Sequence, residues 1–129
     1  MKKHILIVDD EADVRDVLAQ ALMVKGYRVS AAETGNEALR VAKADRPQLM
    51  ISDLQMEDAD GLELIQQIKE IYPDLPVILL TGMIFDKDVI RDTISKKVSC
   101  YIEKTASLQR VTQEVQRLIG DLAPQTASA

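Results

Sequence analysis

The chain has very little of what most catalytic or exported proteins use. It contains one cysteine, Cys100, so no internal disulfide can form, and a reducing cytoplasm is the expected setting. Cys100 falls in an expected strand and reads as a small core residue rather than a reactive thiol. The single histidine, His4, stands at the start of an expected strand, which leaves no basis for a histidine-ligated metal centre or a Ser-His-Asp triad. No stretch approaches the roughly 20 apolar residues of a membrane span. The opening MKKHILIVDD carries a run of only four apolar residues before its acids, far short of a signal-peptide core. Positive charge is in deficit: 16 Lys and Arg against 21 Asp and Glu give a net charge of −5. That balance argues against a nucleic-acid backbone or an anionic membrane as direct partner, although it is also ordinary for a soluble domain.

What is present is regular. With 129 residues, 47% of them apolar, the chain suffices for one domain with a real core. Residues 4–8 are an unalternated apolar run, the pattern of a strand covered on both faces. Residues 12–25 place Val14, Val17, Leu18, Ala21 and Leu22 at helical spacing, with Gly26 as the stop. Tyr27–Ala31 is a weaker strand toward an edge. Thr34-x-x-Glu37 is a capping box opening a helix that carries Ala38, Leu39, Val41 and Ala42. Pro47 precedes a strand at Leu49–Ser52. Asp60-x-x-Glu63 starts a helix through Leu64, Ile65 and Ile68, closed by Pro73. Val77–Leu80 is the fourth apolar run. A helix around Asp86–Lys96 has a thin apolar face of Val89, Ile90 and Ile94. A fifth strand follows at Ser99–Ile102, and Ser107 caps a last helix with Leu108, Val111, Val115 and Leu118 on one face. The segment Asp121–Ala129 has little apolar content and reads as a frayed tail. Five strands alternating with five helices predict an α/β fold, a doubly wound parallel sheet with right-handed crossovers and helices on both faces. No repeat, linker or second domain is evident.

The chemistry collects at the strand ends. Asp9 and Asp10, Asp53, Thr81 and Lys104 each sit at or just beyond the carboxyl end of an apolar run, the edge where open α/β sheets place ligands. Adjacent aspartates on a strand point to opposite faces, but at a strand end turning into a loop both can serve one site. Each residue alone has an ordinary explanation: a helix N-cap for Asp9 or Asp10, a turn for Thr81, a solvated charge for Lys104. Asp53 is harder to explain so, because it follows a run that should be buried. Clustered carboxylates repel one another, and an all-oxygen site with few protein ligands suits Mg²⁺. Together with an ammonium and a hydroxyl, they form a pocket for a phosphoryl group with one carboxylate as nucleophile.

These stretches carry a family resemblance. ILIVDDE at 5–11, ISDLQM at 51–56, DGLEL at 60–64, VILLTG at 77–82 and Tyr101-Ile102-Glu103-Lys104 make the chain resemble the receiver domain of a two-component response regulator. The likeness covers residues 3–120, which would place one receiver unit at 1–120 and a flexible tail at 121–129. It implies a flavodoxin-like strand order 2-1-3-4-5, an order for which a receiver protein is one of the standard examples. It implies that Asp53 accepts a phosphoryl group from a sensor histidine kinase or a histidine phosphotransfer protein, as in a phosphorelay. Asp10, Asp53 and the backbone carbonyl of Gln55 would bind Mg²⁺, with Asp9 supporting it through water. Thr81 and Lys104 would contact the phosphoryl oxygens, and Tyr101 occupies the switch-aromatic position. The output face would include Asp86–Lys97, Tyr101 and the exposed side of Gln109–Gln116, with Met83, Ile84 and Phe85 as apolar contacts. Its polar character predicts a transient protein target and a monomer or weak dimer.

The expected protein is a stand-alone cytoplasmic phosphoprotein that catalyses only its own phosphorylation and dephosphorylation. The rival reading is a degenerate receiver acting as a constitutive interaction module. A Mg²⁺-dependent phosphatase of aspartyl-phosphate type would need an acid two residues after the nucleophile, where Gln55 stands. Three stretches depart from the family: Lys104-Thr105 replaces Lys-Pro, Glu57 replaces the proline after Met56, and Lys96-Lys97-Val98-Ser99 replaces a Gly-Ala ending. A cis bond before a non-proline residue costs roughly 2.5–4 kcal/mol, so a trans Lys104–Thr105 peptide is expected.

Overall fold

Alternating side chains along the central strands build two separate cores, one on each face of a sheet. The computed structural model of the protein describes residues 2–53, 61–81, 100–103 and 107–120. Within them lie β1 (His4–Val8), α1 (Ala12–Val24), β2 (Arg28–Ala32), α2 (Gly35–Ala44), β3 (Leu49–Asp53), α3 (Gly61–Ile71), β4 (Val77–Thr81), β5 (Cys100–Glu103) and α4 (Leu108–Ile119). The expected helix at 86–96, the Lys104–Thr105 bond and the tail 121–129 fall outside the described residues.

The five strands pair in parallel in the order β2-β1-β3-β4-β5, so the flavodoxin-like order expected from the resemblance holds. Leu6, Val8, Met50, Val77 and Leu79 point to the face covered by α2 and α3, where they meet Ala38, Ala42, Leu64, Ile65 and Ile68. Ile5, Ile7, Leu49, Ile51 and Ile78 point to the face of α1 and α4, against Leu18, Leu22, Val111 and Val115. Both faces are covered, which is why the strands read as unbroken apolar runs.

The helix ends follow local chemistry. The Thr34 hydroxyl accepts from the Glu37 N–H at 3.1 Å, as the capping box requires, while Glu37 Oε1 accepts from the N–H of Glu33 at 2.8 Å, one residue before the cap. Ser107 Oγ accepts from the Arg110 N–H at 3.2 Å. At the end of α1 the Tyr27 N–H donates to Leu22 O and the Gly26 N–H to Met23 O, with Gly26 at φ 98°. This is the Schellman closure, and its left-handed position needs glycine. It draws Tyr27 out of the expected strand, so β2 runs one residue later than its pattern suggested. The Tyr27 ring is buried in the α1–α4 core, and its hydroxyl donates to Gly120 O at 2.6 Å, tying the end of α4 to the end of α1. Lys3 Nζ also donates to Ile119 O there. β3, β4 and β5 each reach one residue beyond the expected end, to Asp53, Thr81 and Glu103. Ladder pairing carries these polar residues into the sheet: Asp53 lies opposite Leu80, and Thr81 opposite Glu103.

At the amino end of the sheet, His4 is fully buried. Its Nε2 lies 2.7 Å from Ser30 Oγ and its Nδ1 3.4 Å from Arg46 O. Its backbone N–H donates to Gln48 Oε1 at 2.6 Å, and its carbonyl accepts from the Gln48 N–H at 2.7 Å. Asp45 completes a Ser-His-Asp row, but it is 3.8 Å from Nδ1 and hydrogen-bonds Arg28, whose guanidinium holds its carboxyl below the usual range. The row is therefore a structural fastening of β1, β2 and the α2–β3 turn, a role that no local pattern foretells. His4→Ala is expected to lower stability by about 2–4 kcal/mol, because it empties a buried ring site and strips the Ser30 hydroxyl of its partner. Asp45→Ala, at an exposed ion pair, should cost far less in the same urea titration; equal losses would mean that the ion pair, not the buried ring, holds the turn.

Candidate functional site

The register of β1 against β3 puts Val8 opposite Ser52, so Asp9 emerges from the sheet beside Asp53. The strand order reverses between these two strands, and the crevice at such a reversal is where open α/β sheets bind ligands. Asp9 is wholly buried, Asp53 is 5% exposed and Asp10 is exposed. One carboxylate oxygen from each of the three lies within 4.8 Å of the others.

The backbone around Asp9 is firmly held. Its N–H donates to Ala32 O at 3.1 Å, carrying the β1–β2 ladder one residue further. Its Oδ1 accepts from the Glu11 N–H at 2.8 Å, and its carbonyl accepts from Arg15 Nη1 at 2.7 Å. Glu11, the N-cap of α1, makes no side-chain capping bond. The positive end of the α1 dipole therefore begins two residues beyond Asp10, which favours negative charge there. Beneath the site, Ser52 Oγ donates to the carbonyl of Asp53 at 3.1 Å.

Of the other expected residues, Thr81 closes β4 opposite Glu103, and Tyr101 lies in β5 opposite Leu79. Both are thus placed by their backbones, on the strands where they were expected. Lys104 and Gln55 lie outside the described residues, as do Met83, Ile84 and Phe85 of the expected output surface. Cys100 is half-buried beside the α1–α4 core, and burial, with Glu114 nearby, pushes its thiol above the ordinary range. This suits the packing role expected of it. The sequence reading missed a cleft of about 240 Å³ between α1 and α4, lined by Val14, Val17, Leu80, Leu108 and the acids Asp13 and Glu103. It also missed Arg15, whose position in the first turn of α1 was a weak signal.

Comparison with known proteins decides the family. The response regulator receiver domain family matches residues 5–116 of the chain. The chain belongs to the response regulator receiver family. This receiver is 33% identical to the transcriptional regulatory protein GlrR of Escherichia coli K12 over 95% of its own length, but spans only 28% of GlrR. It is 32% identical to the response regulator MprA of Mycobacterium tuberculosis H37Rv, covering 99% of itself and 55% of MprA. It thus corresponds to about half or less of these curated relatives. Among solved structures, Vibrio cholerae CheY4 superposes with a TM-score of 0.85 at 24% identity, over 92% of this receiver and 100% of that chain. Thermotoga maritima TrrA, solved in complex with Mg²⁺–BeF, gives a TM-score of 0.79 at 31% identity over 91% of this receiver and 99% of that chain.

Three carboxylates this close repel one another when no cation is bound. Asp10→Asn is expected to raise the stability of the metal-free receiver by about 0.5–1 kcal/mol, read as a higher urea midpoint in EDTA. An unchanged or lower midpoint would show that the cluster carries no net repulsion at Asp10.

Proposed function

We propose that this receiver accepts a phosphoryl group on Asp53 from a phosphohistidine on a sensor histidine kinase or histidine phosphotransfer protein, and signals through a changed surface read by a protein partner. The observation that carries the proposal is the placement of Asp53 at the end of β3, nearly buried, within 4.8 Å of Asp9 and Asp10 at the end of β1. The donor set suits Mg²⁺: all oxygen, anionic, and open on the side of exposed Asp10. With the three carboxylates within 4.8 Å of one another, Asp10 and Asp53 would hold the ion together with the Gln55 carbonyl, as family membership suggests, and Asp9 would support it through water. Bound there, Mg²⁺ would offset the carboxylates' repulsion of an incoming phosphoryl group.

In the transfer, an Asp53 oxygen attacks phosphorus, the P–N bond of the phosphohistidine breaks as the new P–O bond forms, and the imidazole leaves with a proton from solvent. Asp9, held through its N–H, carbonyl and Oδ1, keeps the floor of the pocket rigid. Thr81 and Lys104 are assigned to the phosphoryl oxygens and Tyr101 to the switch, on the strength of family membership and, for Thr81, its place at the end of β4. The receiver's acidity argues against direct nucleic-acid contact by this unit, and a transient protein target fits a monomer or weak dimer. No helix among the described residues is long and apolar enough to cross a membrane. The lone cysteine supports a cytoplasmic setting. The stand-alone arrangement expected from the sequence is separable from this proposal, which concerns the receiver unit alone.

Incubation with Mg²⁺ and acetyl phosphate should add one phosphoryl group, labile to base and to hydroxylamine as an acyl phosphate is. Asp53→Asn should show no detectable labelling, since an amide is a poor nucleophile, whereas Lys104→Ala should retain Mg²⁺ binding. Labelling of Asp53→Asn at the wild-type stoichiometry would overturn the assignment.

A further inference from the structure

Asp10 is the one exposed member of the acidic cluster, so core packing does little to fix its side chain. Its position rests on the backbone that leads into it. That backbone is held by Asp9, and two of the bonds that hold Asp9 come from the segment that follows: the Glu11 N–H on Oδ1 and Arg15 Nη1 on the carbonyl. The carbonyl contact bears most directly on Asp10. The Asp9 carbonyl and the Asp10 N–H belong to one planar peptide unit, so fixing the direction of the oxygen fixes the direction in which the chain enters Asp10.

Arg15 is well placed for this. It sits one turn into α1, half-buried, and its own N–H donates to Glu11 O at 3.2 Å in the opening turn of the helix. Its guanidinium therefore reaches back from a rigid element to the turn that carries two of the three carboxylates. The bond is charge-assisted at 2.7 Å and is made to a neutral carbonyl, so Arg15 does not neutralise a cluster carboxylate through it.

We infer that Arg15 is a positioning residue for the cation site: by clamping the Asp9 carbonyl it sets the Asp9–Asp10 peptide so that Asp10 faces Asp53. This rests on the proposed Mg²⁺ site. It predicts a sign opposite to simple electrostatics. A positive charge near three carboxylates competes with a divalent cation, so its removal should tighten Mg²⁺ binding if charge were all that mattered. If positioning dominates, its removal should weaken binding.

The test is a Mg²⁺ titration of the whole chain followed by backbone amide NMR shifts, with no phosphodonor, alongside a urea titration of each variant. Arg15→Met keeps the stem and removes both charge and donor. It should weaken Mg²⁺ binding about tenfold or more, the usual range for losing a group that orients a ligand. Arg15→Lys restores a charged donor and should recover binding to within about threefold of wild type. Arg15→Gln serves in place of Arg15→Met should the latter not fold, with the same expected loss. Unchanged or tighter binding by the uncharged variant overturns the inference, and so does a loss that lysine fails to reverse. If the wild-type receiver binds no Mg²⁺, the proposed metal site falls and this inference falls with it; if wild type binds and the variants bind equally well, the inference alone falls.

Discussion

The pairing of β1 with β3 holds Asp9 and Asp53 at one height on the sheet edge, and the acidic site exists only in that register. In a sheet with one solvated face, a one-residue slip would expose the core and is strongly opposed. Here both faces are apolar, so hydrophobic alternation gives weaker protection against such a slip. The additional constraint lies at the other end of the sheet. Gln48, just before β3, exchanges two hydrogen bonds with the backbone of His4, at 2.6 and 2.7 Å, and the buried His4 ring is fastened to Ser30 of β2. The polar fastening at the amino end thus sets the register on which the carboxyl end depends.

The two faces of the sheet are packed differently. Against α2 the sheet meets the small side chains Ala38 and Ala42, which let that helix lie close. On the opposite face the core contains Tyr27, and its hydroxyl, together with Lys3, secures the end of α4. α1 contributes to both the packing and the site. Leu18 and Leu22 anchor it to the sheet, while its first turn supplies the Glu11 N–H and Arg15 that hold Asp9. A helix fixed by its apolar side is a rigid base from which to orient polar groups, as a preorganised site requires.

Burying carboxylates such as Asp9 and Asp53 costs stability unless hydrogen bonds or opposite charge compensate. The Glu11 N–H and the start of α1 supply part of that compensation, and a bound cation would supply more. Asp10, left exposed, gives the site an open side toward solvent. The acidic cluster therefore combines two buried carboxylates, Asp9 and Asp53, with an accessible one, Asp10.

Local signals in the sequence determined the α/β class, the existence of the described strands and helices, the caps at Thr34 and Ser107, the stop at Gly26 and the convergence of Asp9, Asp10 and Asp53. Each depends on side-chain periodicity, on a turn or cap spanning a few residues, or on a residue's place at a strand end. The tertiary structure alone decided the inclusion of Asp53, Thr81 and Glu103 in the strand ladders, the removal of Tyr27 from β2, the burial of His4 against Ser30, and the reach of Arg15 back to Asp9. Inclusion in a ladder is set by partners in neighbouring strands. His4 and Ser30 are 26 positions apart, and Tyr27 and Gly120 are 93. Arg15 is only 6 positions from Asp9, yet its contact requires a particular turn between β1 and α1. Periodicity records which face a residue takes, but not which distant atom it will meet there, because that depends on how the whole sheet is assembled.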